Sequence, residues 1–179
     1  MPGSDPDASI YSLSGRKISA QSRFCNWLNS LNNILRGNLG DDVIDGGAGS
    51  DTTDYSNSSG TVTVVLTNVV SGHSGGSSSG AAGNDTLIDI ENIFGGSGSD
   101  SLTGNSSDNL IRGNAGDDTI NGAAGNDTAD YRNAAGSVTV VLTDVLDGSG
   151  NLTGSATGAD GNDILLNIER VRGGRFMTH

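Results

Sequence analysis

Seven aspartates, Asp42, Asp51, Asp85, Asp100, Asp118, Asp127 and Asp163, each hold the sixth place of a nine-residue unit close to G-G-x-G-x-D-x-U-x, where U is usually aliphatic. An eighth unit, Gly104–Arg112, places Asn109 there. Four units run without a gap from Gly95 to Asp130, two more run from Gly37 to Asp54, and Gly80–Ile88 and Gly158–Leu166 stand alone. Carboxylates that recur with glycine-freed peptide carbonyls form a set of hard oxygen donors, which suits Ca²⁺ rather than a soft metal. Zinc is disfavoured, because Cys25 is the only cysteine and His73 and His179 are isolated. The acid pairs Asp41–Asp42 and Asp117–Asp118 do not read as catalytic dyads, since only the second of each falls at the sixth place.

The elements that would carry these donors follow from the same unit. Glycines at the first, second and fourth places permit tight turns, and the closing β-branched or aliphatic triplet reads as a short strand. Turn and strand at a fixed period predict a solenoid of parallel strands with one side chain per unit pointing inward. A longer register, offset by 76 residues, matches "ILRGNLGDDVIDGGAGSDTTDY" to "LIRGNAGDDTINGAAGNDTADY". It continues through "GTVTVVLT" and "GSVTVVLT", so Thr61–Thr67 and Ser137–Thr143 are expected to be longer strands. One core side chain per nine residues does not offset the entropy of ordering so many glycines. A bound cation in the turns supplies what the core lacks.

The composition agrees. The 179 residues include 29 glycines, 4% aromatics and a net charge of −12. Residues 1–36 carry +2 and the remainder −14, a distribution that repels nucleic acid and anionic membranes and attracts cations. No apolar run reaches the length of a membrane-spanning helix, and residues 1–20 lack the features of a cleaved secretory signal.

The nonapeptides resemble the RTX (repeats-in-toxin, haemolysin-type) calcium-binding repeat of bacterial secreted proteins, over about residues 31–174. The segments 54–92 and 130–170 are similar to the spacers that join nonapeptide blocks in multi-block members. The resemblance implies an all-β fold: a right-handed parallel β-roll (β-solenoid), two nonapeptides per turn, with longer β-strand spacers. It implies several Ca²⁺ ions between successive turns, held by the sixth-place residues and by turn carbonyls. Carried over, same-side neighbours stand 18 residues apart, so Asp100 faces Asp118, Asn109 faces Asp127 and Asp51 faces Asn33. Asn109 and Asn33 offer a neutral oxygen, so their sites are expected to be weaker. Asp42, Asp85 and Asp163 have no intact partner at that spacing and need ligands from the spacers, for which Glu91 and Glu169 are candidates. The resemblance also implies a secreted, extracellular or cell-surface location, with type I secretion. The organisation expected is an atypical N-terminal segment or degenerate cap over 1–28, a first RTX unit over 29–109, and a second, truncated unit over 110–179. Cys25 and Trp27 are expected to cover the N-terminal end.

The function expected is a calcium-binding structural repeat module that folds on Ca²⁺ binding outside the cell. The alternative is an adhesion or polysaccharide-binding β-solenoid module, with Tyr11, Trp27, Tyr55 and Tyr131 as candidate sugar-stacking aromatics. The sequence contains neither a zinc-protease helix motif nor a G-x-S-x-G elbow, so no enzyme is expected in this chain. The partners expected are calcium ions, cell-surface or polysaccharide contacts and end-to-end self-association, with no nucleic acid and no membrane insertion.

Overall fold

The computed structural model describes residues 9–11, 17–19, 31–70, 72–173 and 177–178. These residues are built of strands and turns in two sheets. One sheet is parallel throughout, in the order Ser9–Tyr11, Ile34–Arg36, Thr52–Asp54, Asn92–Phe94, Leu110–Arg112, Thr128–Tyr131 and Arg170–Gly173. Successive nonapeptide triplets alternate between this sheet and the other, so neighbours in a sheet come from every second unit. Ser101 accordingly lies opposite Thr119, and Leu110 opposite Thr128.

The eighth-place side chains fill the space between the sheets. Ile44, Leu87, Leu102, Ile111, Ile120 and Leu165 are at most 1% exposed, and Leu35 and Ile93 join them. Where the eighth place holds Thr53 or Ala129, that side chain is buried too.

The second sheet is wider because each spacer inserts a hairpin into it. Its order is Lys17–Ser19, Val43–Asp45, Thr86–Ile88, His73–Gly80, Val62–Val70, Ser101–Thr103, Thr119–Asn121, Gly161–Leu166, Leu152–Gly158, Val138–Leu146 and Met177–Thr178. The expected long strands are present, and each runs past the predicted end. The sequence reading did not anticipate their antiparallel return strands, His73–Gly80 and Leu152–Gly158. "HSGGSSSG" has poor strand propensity, but it lies between two strands that approach closely. A Cβ on Gly76 would fall 2.7 Å from the Val65 carbonyl oxygen. In the parallel sheet the spacer adds only one rung, since Asn92–Phe94 pairs directly with Thr52–Asp54.

The N-terminal segment, which matches nothing in the repeat pattern, nevertheless supplies two short strands that continue both sheets. Cys25 and Trp27 lie outside the described residues. No described helix is long and apolar enough to cross a membrane.

Candidate metal centre

The sixth-place residue immediately precedes a strand in every unit but the last, where Asp163 lies inside the strand Gly161–Leu166, so the stacking of strands stacks these residues along two edges of the roll. On the edge that leads into the parallel sheet, each step is a backbone N–H donating to the next carboxylate, except from Glu91 to Asn109, where the Asn109 side-chain amide donates to the Glu91 carbonyl. Asn33 N–H donates to Asp51 Oδ1 (2.8 Å), and Asp51 N–H donates to Glu91 Oε2 (2.8 Å). Asn109 Nδ2 donates to the Glu91 carbonyl (2.7 Å), Asn109 N–H to Asp127 Oδ1 (2.8 Å), and Asp127 N–H to Glu169 Oε2 (2.7 Å). On the edge that leads into the wider sheet, Asp42 N–H donates to Asp85 Oδ1 (3.0 Å). Beyond the hairpin, Val62 N–H donates to Asp100 Oδ1, Asp100 N–H to Asp118 Oδ1 (2.7 Å), and Asp118 N–H to Asp163 Oδ1 (3.0 Å).

One carboxylate oxygen per aspartate is thus used by the ladder, and the other distinguishes the residues. Asp51 and Asp127 are 0% exposed and Asp118 is 1% exposed, yet Oδ2 of each is buried without a hydrogen-bond partner. Burying an unpaired carboxylate is unfavourable. Burial pushes Asp51 and Asp118 up to about 7 and Asp127 up to about 6, with nearby Glu91, Asp163 and Glu169 respectively adding repulsion. The Asn33 side chain is also buried, with neither polar atom partnered.

These oxygens face glycine-lined hollows that other oxygens share. A Cβ on Gly122 would lie 2.4 Å from Asp127 Oδ2 and 2.3 Å from the Asn167 carbonyl oxygen. On Gly95 it would lie 2.6 Å from Asp100 Oδ2 and 2.7 Å from the Gly113 oxygen. On Gly104 it would lie 2.1 Å from Asn109 Oδ1 and 2.7 Å from the Gly122 oxygen, and on Gly46 2.2 Å from the Asp89 oxygen beside the Asp51 carboxylate. Carboxylate and carbonyl oxygens therefore converge where a side chain would otherwise sit. Asp89 and Asn167 both take φ of +50°, and their carbonyls stand where the carbonyl of the glycine 18 residues on stands elsewhere. Among the described residues no group of three or more His, Cys, Asp or Glu side chains is gathered to hold a metal, so carbonyls must complete any shell. The donor chemistry fits Ca²⁺, which accepts six to eight oxygens in flexible geometry.

The family of RTX calcium-binding nonapeptide repeats matches residues 27–61 and 94–129, with four copies. The chain carries RTX repeats. Such repeats bind Ca²⁺, with several ions distributed across them. No curated protein matches the chain.

The RTX turns do not treat all sixth-place aspartates alike. Asp85 and Asp163, both expected as ligands, have each oxygen engaged by a protein donor. Asp85 Oδ2 accepts the Tyr55 hydroxyl (2.8 Å) and the Ser78 hydroxyl (2.9 Å), while Asp163 Oδ2 accepts the Tyr131 hydroxyl (2.8 Å). Asp100 Oδ2 accepts Gly96 N–H (2.6 Å). The Asn109 side chain is held at Oδ1 by Asn105 N–H and at Nδ2 by the Glu91 carbonyl. The fifth-place acids Asp41 and Asp117 are exposed and instead hold the N–H groups of Asn84 and Asn162.

Glu91 and Glu169 enter the ladder as partners of Asp51 and Asp127, rather than of Asp42, Asp85 and Asp163. The signal was in the sequence. Glu91 stands nine residues before Asp100 and Ile93 nine before Leu102, so Asp89–Phe94, directly after the unit Gly80–Ile88, is a shortened repeat without glycines. The ninth place carries a separate ion-pair row that sequence reasoning missed. Arg36 pairs with Asp54, Arg112 Nη2 with Asp130 (2.5 Å), and the Arg112 guanidinium lies 4.0 Å from the Phe94 ring centre. Burial alone would raise Asp130, but hydrogen bonds from Arg132 and Arg112 outweigh it and hold the carboxyl below its ordinary value.

Proposed function

We propose that this chain is a calcium-loaded structural module of a secreted or cell-surface protein, largely unfolded where free Ca²⁺ is scarce and folded where it is abundant. The observation that carries the reading is the trio of buried, unpartnered oxygens on Asp51, Asp118 and Asp127, set against glycine hollows. The ligand sets that support it best are Asp51 with the Asp89 carbonyl and Glu91, Asp100 with Asp118 and the Gly113 carbonyl, Asn109 with Asp127 and the Gly122 carbonyl, and Asp127 with the Asn167 carbonyl and Glu169. Bound Ca²⁺ would neutralise carboxylates that otherwise repel one another across 18-residue steps, and so couple folding to metal binding. Extracellular modules commonly bind Ca²⁺ near 10⁻⁴–10⁻³ M, which keeps such a chain unfolded in a calcium-poor cytosol. RTX repeats are typical of secreted proteins, which supports the same location.

Nothing in this reading calls for catalysis by the chain itself. The adhesion alternative loses two of its sugar-stacking candidates, since Tyr55 and Tyr131 are each 3% exposed. End-to-end association remains a partner of the proposal. Leu142, the counterpart of the 3% exposed Leu66, is 39% exposed on the second hairpin, and sedimentation at rising concentration tests whether that face is covered.

The proposal is tested by far-UV circular dichroism and hydrodynamic radius at sub-micromolar and millimolar free Ca²⁺, with Mg²⁺ as control. Compaction with strand formation in Ca²⁺ alone is the expected result. A chain equally compact in chelator contradicts it.

A further inference from the structure

The two aspartates whose second oxygen accepts a tyrosine hydroxyl sit at the same point of each spacer. Asp85 and Asp163 are each 3% exposed, as are the tyrosines that reach them, Tyr55 and Tyr131. Each tyrosine immediately follows the last nonapeptide before its hairpin, and each aspartate follows the hairpin, 30 and 32 residues after the tyrosine. Both phenols lie 2.8 Å from Oδ2, the oxygen that is left bare in Asp51, Asp118 and Asp127. The remaining oxygen, Oδ1, accepts the N–H of Asp42 or Asp118 and so fixes the neighbouring rung. Burial holds both phenols above their ordinary pKa, so they stay protonated donors.

We propose that Tyr55 and Tyr131 are built-in substitutes for a cation: each phenol fills the oxygen that an ion would otherwise satisfy, so that Asp85 and Asp163 bind no Ca²⁺ and instead seat Asp42 and Asp118 by hydrogen bonding. This inference rests on the calcium reading of the other turns. It makes each spacer a metal-free stop on one edge of the roll. Asp163 fixes the backbone of Asp118 without an ion of its own, which prearranges the adjoining ion site. Tyr55 and Tyr131 are positioning residues in this scheme, acting on the ion sites through Asp85 and Asp163.

The test counts bound Ca²⁺ on the full chain by native mass spectrometry and calorimetry, in the parent, Tyr131→Phe, Asp163→Asn and Asp118→Asn. Ultraviolet resonance Raman reports the phenol hydrogen bond in the parent, with and without calcium. The expected result is an unchanged ion count in Tyr131→Phe and Asp163→Asn, a severalfold higher Ca²⁺ midpoint in Tyr131→Phe, and a lower count in Asp118→Asn. The Raman signature of a phenol donating to carboxylate should persist in saturating Ca²⁺. Loss of an ion in Asp163→Asn, or loss of that signature when Ca²⁺ binds, overturns the substitution. An unchanged midpoint in Tyr131→Phe overturns the positioning role. A parent that takes up no Ca²⁺ would sink the calcium reading and this inference together. A parent that binds Ca²⁺ while Asp163→Asn loses an ion sinks only the inference.

Discussion

The two edges of the roll meet the spacer differently. On the edge entering the parallel sheet, the row of oxygen donors passes through the spacer, because Glu91 and Glu169 take the sixth place and the Asp89 and Asn167 carbonyls replace those of glycine. On the other edge the row stops at a hairpin, and a buried tyrosine satisfies the aspartate beyond it. The same residue type at the same place in the repeat therefore has two surroundings: a tyrosine hydroxyl faces the second oxygen of Asp85 and Asp163, while that of Asp51, Asp118 and Asp127 is buried without a hydrogen bond. In the proposed scheme the first pair needs no ion and the trio does.

That contrast can be broken from either side. The largest effect is expected from Asp127→Ala, which removes a carboxylate from two proposed sites. Its Ca²⁺ midpoint for folding should rise by about tenfold or more, the scale on which changes around metal ligands act. Circular dichroism during Ca²⁺ titration reads it. Gly122→Ala is expected to follow, since its methyl would sit 2.4 Å from Asp127 Oδ2 and fill the hollow. Calorimetry should find fewer ions bound.

Tyr131→Phe leaves a buried Asp163 oxygen without its donor. It should cost about 1–3 kcal/mol in the calcium-loaded state, as measured by denaturant unfolding. Tyr55→Phe should cost less, because the Ser78 hydroxyl still donates to Asp85. Equal losses in the two variants would show that the second donor contributes nothing.

The smallest effect is a pH dependence in chelator. Asp51 and Asp118 near 7 and Asp127 near 6 all lie above the ordinary carboxylate value. Groups raised in the folded state stabilise it when protonated. The small fraction of chain that folds in chelator should therefore be largest below about pH 4 as far as these groups are concerned, and should fall as pH rises through about 6 to 7. Circular dichroism in chelator between pH 4 and 8 checks the direction, and saturating Ca²⁺ should weaken the dependence.

Much of this was legible in the chain. The nine-residue period placed the short strands, the inward eighth-place side chains and the pairs Asp100–Asp118 and Asn109–Asp127. A fixed period makes neighbours in sequence into neighbours in space, so spacing alone sufficed there. It failed at the spacers, where the ladder steps lengthen to 40 residues between Asp51 and Glu91 and to 45 between Asp118 and Asp163. There the contacts depend on how a hairpin folds back. One of its strands, His73–Gly80, consists of serine, glycine and one histidine and gives no strand signal. The tyrosine hydrogen bonds were hidden for the same reason, and two of the four aromatics read as candidates for sugar contact, Tyr55 and Tyr131, proved to be internal.

The most direct measurement is anomalous diffraction from crystals of the full chain grown in saturating Ca²⁺. Ions beside Asp51, Asp118 and Asp127, with none at Asp85 or Asp163 and both tyrosines still bonded to them, are the predicted result. An ion held by Asp85 or Asp163 with its tyrosine displaced, or bare turns at Asp118 and Asp127, would contradict it.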